Sequence, residues 1–318
     1  MRAVGFTRVG GPEVVEVVEV TEPPAPRGDQ LLVRVRASSI NGTDLGLRRG
    51  GMRVATLGRS PFVPGFDLAG EVVARGPEVT AFATGDPVVA LLGHRGGAQA
   101  ELVLVRQGRA ALAPRTVPAT EAATLPLAGL TALQALHQHG RLGAVGPPAR
   151  VLVLGASGGI GSFAVLLAKL EGAHVTGLAS GPKLAHVRSL GADEALDYRE
   201  HEVSDLDGRW DLILDASGLH PFAGLRPLLA PDGVAVSTRA LGRDALRLLS
   251  PAGPGSGPRY AAVMTKGRSP DLARLVTLVD RGELPSVLDR TFALTAAADA
   301  HRWAETAVAG KVVLQIAA

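Results

Sequence analysis

The 318-residue chain contains no cysteine. That absence excludes disulfides, thiolate zinc sites, iron–sulfur ligation and a cysteine nucleophile together. Aromatic residues are scarce too, with seven Phe, two Tyr and two Trp, so Ala, Val and Leu must fill the core. No apolar run approaches the roughly 18 residues of a membrane span. The opening MRAVGFTRVGGPEVVEVVEV breaks at Gly10-Gly11-Pro12 before any apolar segment of signal-peptide length develops. A cytoplasmic protein with no membrane partner is the expectation. Charge of one sign is lacking as well: 33 Lys and Arg face 30 Asp and Glu, for a formal net charge of +3. Basic residues are scattered, as in Arg34/Arg36, Arg48/Arg49 and Arg106/Arg109, so no nucleic-acid footprint is expected.

A length of 318 residues predicts about two domains at roughly 150 residues each. Up to about residue 120 the pattern is short Val-rich runs, Val14 to Val20, Leu31 to Ala37, Glu71 to Ala74, Pro87 to Leu92 and Ala100 to Arg106, separated by Gly, Pro and Asp. This reads as a small barrel or sandwich. From Glu121 the chain turns Ala/Leu-rich with helical spacing, and Gly146-Pro147-Pro148 leads into the apolar run VLVLG at 151–155. Strands and helices then alternate: helix 159–171, strand 174–178, helix near 182–190, strands 194–196 and 211–214, helix near 221–229 and strand 233–238. That rhythm predicts a doubly wound parallel sheet in an α/β protein. A Pro/Gly/Ser-rich loop is expected at 251–258, before a strand at 259–265 and a helix opened by Ser269-Pro270-Asp271.

Between the first of these parallel strands and its helix lies Gly155-Ala156-Ser157-Gly158-Gly159-Ile160-Gly161. Small residues permit a tight turn and a close backbone approach to a pyrophosphate, which the first N–H groups of the helix then bind. In NAD-binding folds an acidic residue about 20 positions further on holds the ribose hydroxyls. Here Ser180 stands 19 residues after Gly161, in LASGPK, with no carboxylate in that segment. A hydroxyl at Ser180 and an ammonium at Lys183 suit a 2′-phosphate, which favours NADPH; the alternative is a capping serine and a solvated lysine. Tyr198, after the third strand, is a candidate for the adenosine end, or simply a rim residue. Ser217 follows the strand LILDA, at a carboxyl end where such sheets bind ligands. The pair His137/His139 reads as a solvated helix end rather than a metal site.

INGTD at 40–44, PFVPGFDLAGEV at 61–72, GGAQAE at 96–101, PLAGLTAL at 126–133, GASGGIG at 155–161, LGADEALDY at 190–198 and GKVVL at 310–314 occur in this order. Together they resemble the medium-chain dehydrogenase/reductase superfamily, and within it the zinc-free quinone oxidoreductase, or ζ-crystallin-like, branch. The resemblance spans essentially the whole chain. It implies a Rossmann doubly wound parallel sheet (122–265) inserted into a GroES-like β-rich catalytic domain (1–121, completed by 266–318). It also implies a homodimer, for which the apolar strand RYAAVMT offers an edge to pair across a two-fold axis.

Departures from the zinc-dependent relatives carry chemical meaning. Asn41 stands where they have a Cys ligand and Phe66, in Gly65-Phe66-Asp67, where they have a His. An amide and a phenyl ring in two ligand positions leave no catalytic zinc site. An isolated ketone reduced without a Lewis acid would leave a localised alkoxide. Hydride delivered to a quinone or an enone instead leaves a delocalised charge, for which an amide or hydroxyl donor can suffice. The resemblance places Asn41 and Asp44 by the nicotinamide, and the residues add Thr43 as a further donor. The plainer alternative is that Thr43 or Asp44 caps the following helix. Leu45 and Gly46 come next, which predicts a wide, weakly polar pocket. The resemblance also places Thr131 near the nicotinamide, with a helix hydroxyl as the alternative, and Lys311 at the cofactor phosphates, with an edge-strand lysine as the alternative.

The expected function is NADPH-dependent hydride transfer to a quinone or an α,β-unsaturated carbonyl. A second reading is an enoyl-thioester or secondary-metabolite enone reductase in which Arg48 and Arg49 meet an anionic carrier. A third is a nucleotide-binding structural or interaction protein without catalysis.

Overall fold

The computed structural model describes residues 1–51, 60–93, 95–145, 148–240, 242, 244–247, 257–306 and 308–316. The predicted loop at 251–258 falls almost wholly outside these residues, as does Gly146-Pro147. The chain divides into two compact units, Met1–Leu130 with Lys266–Ala318, and Thr131–Thr265 between them.

Unit 1 begins with strands β1 (Arg2–Gly5), β2 (Glu16–Glu19), β3 (Gln30–Ile40), β4 (Asp67–Arg75), β5 (Pro87–Leu91), β6 (Leu102–Arg106) and β7 (Ala110–Leu112). Unit 2 contributes β8 (Arg150–Leu154), β9 (His174–Ala179), β10 (Glu194–Asp197), β11 (Trp210–Asp215), β12 (Leu229–Ser237) and β13 (Arg259–Ala262). The carboxyl-terminal segment returns to unit 1 with β14 (Leu288–Ala293) and β15 (Lys311–Gln315). Four of the helices are α1 (Gly42–Arg48), α2 (Gly159–Leu170), α3 (Ser269–Asp280) and α4 (Ala297–Ala304).

The seven-stranded sheet of unit 1 runs β14-β15-β3-β4-β5-β7, with β6 also on β3. Its centre is β3, an eleven-residue strand that pairs antiparallel with β4, β6 and β15. Alternation explains the core: Leu31, Val33, Val35 and Ala37 are all 0% exposed, and the first three pack with Leu68, Val72, Val88 and Leu314. Because β15 lies between β14 and β3, it is an interior strand.

Unit 2 is a six-stranded sheet in the order β10-β9-β8-β11-β12-β13, and every pair in it is parallel. The order reverses between β8 and β11, which makes the crevice beyond their carboxyl ends the switch point where such sheets take ligands. Near-continuous apolar runs such as Val151–Leu154 and Leu212–Leu214, buried throughout, are what a parallel sheet covered on both faces requires.

The unit boundary falls between Leu130 and Thr131, within a helical run from Ala119 to His139, rather than at 121/122. Residues 119–122 pack on β3, β4, β14 and β15, so the start of the Ala/Leu-rich stretch belongs with the first unit even though its composition resembles the second. Among the described residues no helix is long and apolar enough to cross a membrane.

Ile213, fully buried at the centre of the parallel sheet between β8 and β12, provides a test of this core. Ile213→Ala is expected to cost about 2–5 kcal/mol through lost burial and an unfilled cavity. Denaturant unfolding followed by circular dichroism measures it, and a loss below about 1 kcal/mol would contradict the packing described.

Candidate functional site

The glycine-rich turn closes β8 onto α2. Gly155 has φ +77°, a left-handed conformation that favours glycine, and the N–H groups of Gly155 and Ala156 both donate to the Leu178 carbonyl, at 3.1 and 2.9 Å. Gly158 is the N-cap of α2. A Cβ at Gly161 would sit 2.1 Å from the Gly155 carbonyl oxygen and 2.7 Å from the Ala156 Cα, so only glycine lets the helix start this close to the strand. Ser157, Gly159 and Ile160 complete the turn, with the first N–H groups of α2 lacking intrahelical acceptors as at any helix start. These residues make an anion cradle that fits a dinucleotide pyrophosphate.

Across the switch point the loop after β11 is held by a residue the sequence reading passed over. Asp215, fully buried, accepts from Ser217 Oγ at 2.6 Å, from the Gly218 N–H at 2.9 Å and from the His220 N–H at 2.9 Å. The signal was available, since a carboxylate closing the apolar strand WDLILD needs compensating donors. This anchoring brings Ser217 beside the cradle: a Cβ at Gly155 would lie 3.3 Å from the Ser217 nitrogen.

Ser180, 6% exposed, follows β9 and occupies the N-cap position of the turn Gly181–Lys183 with no side-chain capping bond. Lys183 is half-buried in the same turn. Tyr198 follows β10, is 53% exposed, and donates its N–H to the Ala179 carbonyl at 3.1 Å, which places it next to Ser180. Folding also brings in Asp197, a carboxylate absent from the LASGPK segment. Its Oδ1 accepts the Arg199 N–H at 3.0 Å, and its Oδ2 lies 2.5 Å from where a Gly181 Cβ would be. Thr131 is buried, and its hydroxyl shares a 2.6 Å hydrogen bond with that of Thr265. His137 lies 3.5 Å from a Glu171 carboxylate oxygen, so the His137/His139 pair is less solvated than expected.

In unit 1 the expected catalytic residues gather where β3 runs into α1. Asn41 is the N-cap of α1, and its N–H donates to Asp44 Oδ2 at 2.8 Å. Asp44 Oδ1 accepts the Gly65 N–H at 2.7 Å, so this carboxylate both caps the helix and ties it to the segment before β4. Asp44 is fully buried; burial, aided by the charge of Asp67, pushes its pKa up to about 7 against the two N–H bonds and Lys311. Thr43, on the first turn of α1, is half-buried.

Two residues join this cluster unforeseen. Asp67, at the start of β4 and fully buried, accepts from Ser39 Oγ at 2.8 and 2.7 Å, from the Ser39 N–H at 3.2 Å and from Asn41 Nδ2 at 3.2 Å. Burial raises its pKa, opposed chiefly by the nearby Lys311 ammonium. Ser39 and Asp67 were not legible as site residues because a Ser and an Asp at strand ends also suit ordinary turns.

The position of Lys311 corrects its expected role. Its ammonium is buried in unit 1, donating to the Ile40 carbonyl at 2.9 Å and to Asn41 Oδ1. Held there at 5% exposure on an interior strand, it is neither a phosphate ligand nor an edge-strand lysine. The anionic-carrier role for Arg48 is corrected likewise. Arg48 is fully buried and paired with Glu305, which also pairs with Arg49 at 2.9 Å. Against it, His301 on α4 is kept neutral by burial and by the Arg48 charge, with its pKa lowered to about 4.

Two family models match the chain: "Alcohol dehydrogenase GroES-like domain" over residues 27–115 and "Zinc-binding dehydrogenase" over 190–314. The chain is 34% identical to the chloroplast envelope quinone oxidoreductase homolog of Arabidopsis thaliana over 320 residues, covering 96% of this chain and 95% of that protein. It is 36% identical over 228 residues to an NADPH-dependent alkenal/one oxidoreductase of the same plant, covering 69% of this chain and 58% of that one. Among solved structures, the quinone oxidoreductase from Coxiella burnetii superposes with a TM-score of 0.89 at 29% identity, over 100% of this chain and 99% of the other.

The name of the second family model implies zinc, and the donor set here does not fit it. The Phe66 ring has no donor atom, the oxygen of Asn41 is taken by the Lys311 ammonium, and Asp67 is engaged by Ser39 and Asn41. Among the described residues no group of three or more His, Asp or Glu could hold a metal ion. With identity of 34% along nearly its whole length and a fold shared throughout, the chain belongs to the quinone oxidoreductase branch of the medium-chain dehydrogenase/reductase superfamily and is a nicotinamide-dependent oxidoreductase.

Proposed function

We propose that the chain is an NADPH-dependent, metal-independent reductase of quinones or α,β-unsaturated carbonyls. The observation that carries this reading is that one unit holds a dinucleotide cradle at Gly155–Gly161, while the other holds a polar cluster with an amide, Asn41, in a metal-ligand position and an ammonium, Lys311, bonded to it. The printed names of the relatives, a quinone oxidoreductase homolog and an NADPH-dependent alkenal/one oxidoreductase, support the acceptor class. When bound, the dinucleotide supplies a hydride, and a proton from solvent completes the two-electron reduction of the acceptor.

The residues divide this work by chemistry. Gly155, Ala156, Ser157, Gly158, Gly159, Ile160 and Gly161 bind the pyrophosphate through backbone N–H groups. Ser217, held by Asp215, and Thr131, held by Thr265, border the dinucleotide. Ser180 and Lys183 take the 2′-phosphate and Tyr198 the adenosine. Asn41 and Thr43 donate to the acceptor oxygen on which charge develops. Asp44, fully buried and committed to two N–H groups, orients these donors and does not itself reach the acceptor. A conjugated acceptor spreads the developing charge, so neutral donors are enough and a Lewis acid is not required.

Asp197 supports a second cofactor reading, NADH, because its carboxylate lies beside Gly181. The NADPH reading rests on the Ser180 hydroxyl, which makes no capping bond, and on the Lys183 charge. A homodimer is part of the proposal: β13 is the open edge of its sheet, and Met264 just beyond it is 74% exposed.

Each part has a measurement. NADPH oxidation is expected with 1,4-benzoquinone and a simple enone, and a chain that binds NADPH but turns over no such acceptor would contradict the activity. Lys183→Ala should weaken NADPH roughly tenfold in a fluorescence titration and leave NADH unchanged, the size of one exposed charge-assisted contact; equal losses would assign the phosphate state elsewhere. Gly161→Val should abolish binding of both dinucleotides while unit 1 stays folded, because its Cβ would strike the Gly155 carbonyl; retained affinity would contradict the cradle. Light scattering should give twice the chain mass, and a monomer would remove the β13 pairing.

A further inference from the structure

We propose that Lys311 is the positioning residue for the Asn41 amide: its buried ammonium holds Asn41 Oδ1, fixes which way the amide faces and polarises its N–H groups, one of which exchanges its long bond to Ser39 for the acceptor oxygen. The inference deepens the proposed function and rests on Asn41 being the donor to the acceptor oxygen.

The amide has two ends with unequal grips. On the nitrogen side the bonds are long, 3.3 Å to the Ser39 carbonyl, 3.4 Å to Ser39 Oγ and 3.2 Å to Asp67 Oδ1. On the oxygen side the partner is a charged donor. A charge-assisted hydrogen bond is roughly twice as strong as a neutral one; the ammonium supplies the closer of the two charged grips, and the Asp67 carboxylate on the nitrogen side holds the amide the same way round. With the amide reversed, its NH₂ would face the ammonium, donor against donor. The same contact draws electron density toward Oδ1, and a chain of hydrogen bonds strengthens each member. A positive charge one amide removed thus does part of what a metal does directly.

Composition makes the arrangement specific. Asn41 is the only asparagine in the chain, and Lys311 is one of four lysines among 33 basic residues. The ammonium offers three donors at one point, of which the Ile40 carbonyl and Asn41 Oδ1 take two. Around it stand Asp67 from β4, Asp44 from α1 and Asn41 with Ile40 at the end of β3. Burial lowers the Lys311 pKa from its usual value, and the two carboxylates oppose that shift. A rise in pH that removes the proton would release the amide oxygen, so activity should fall on an alkaline limb.

The test combines kinetics with one resonance pair. Asparagine labelled with nitrogen-15 gives a single side-chain amide, that of Asn41, whose pH titration is followed in the full-length protein by NMR. The expected result is that this amide shifts over the same alkaline range in which kcat falls. Lys311→Met should lose both the shift and the limb, lower kcat roughly 10- to 100-fold as for a displaced donor, and leave the NADPH dissociation constant within about twofold of that of the unmodified protein, the reading a phosphate ligand would not give. Lys311→Arg keeps a charge that does not titrate, so it should restore part of kcat with a flat alkaline limb. Lys311→Met/Asp67→Asn removes both charges together and should stay slow, which separates lost positioning from a stranded carboxylate. The proposal is overturned by an Asn41 amide that does not titrate in the unmodified protein, or by a Lys311→Met loss that appears in NADPH affinity and not in kcat. Should the unmodified protein turn over no quinone or enone, the proposed activity fails, while the amide titration still decides whether Lys311 holds Asn41.

Discussion

A single buried ammonium organises the first unit. Lys311 reaches back across 271 positions to the Ile40 carbonyl and Asn41, and in doing so it joins the carboxyl-terminal strand to the end of the central strand β3. Two carboxylates buried nearby, Asp44 and Asp67, would be costly without a cation; removing one partner of such a set typically costs about 3–5 kcal/mol. Each carboxylate has further donors, Asp44 the Asn41 and Gly65 N–H groups and Asp67 the Ser39 hydroxyl and N–H. The charges are therefore compensated by three strands, one helix and one loop that must all be in place together. This is why the two ends of the chain have to form one unit.

The second unit is governed by a different constraint, the space a helix needs to start close against the preceding strand. Gly161 permits α2 to begin against the Gly155 carbonyl, and Gly177 leaves room on the next strand, where a Cβ would be 2.7 Å from Val187 Cγ1 and 2.9 Å from the Ala156 Cβ. Strand, turn and helix close up because side chains are missing at these positions. Asp215 performs a complementary task on the neighbouring strand, where three donors hold the loop that carries Ser217. One unit thus relies on charge and hydrogen bonds, the other on empty volume, and the roles proposed for them differ accordingly: a neutral, oriented donor set for an acceptor whose charge is delocalised, and a cradle of N–H groups for a dianion.

Much of this was legible in one dimension. Val-rich alternation located β3 to β6 within a few residues, and the βαβ rhythm with its glycines located β8, α2 and β9, because hydrophobic period and glycine placement are local properties. Asn41, Thr43 and Asp44 could be named since they lie close together in the chain and Asn41 stands in a recognisable ligand position. Asp67, Ser39 and Asp197 were not legible as site residues. Each sits at a strand end where a polar residue has an ordinary explanation, and each acquires its partners only when distant strands pair. Arg48 misled for the same reason, since an Arg-Arg pair reads as available to an anionic carrier until Glu305 and His301 cover it.

What the sequence by itself determined was the parallel sheet, the glycine turn that opens α2 and the absence of thiolate chemistry, all of which follow from residue type and short-range spacing. What only the tertiary structure decided was where the charges go. Lys311 turned from an expected phosphate ligand into the partner of Asn41, because a buried ammonium takes its place from the carbonyl and carboxylate oxygens folding leaves around it, and those come from residues 40, 41, 44 and 67. Spacing along a chain carries no record of which distant acceptors will need a cation; the pairing of β15 with β3 does.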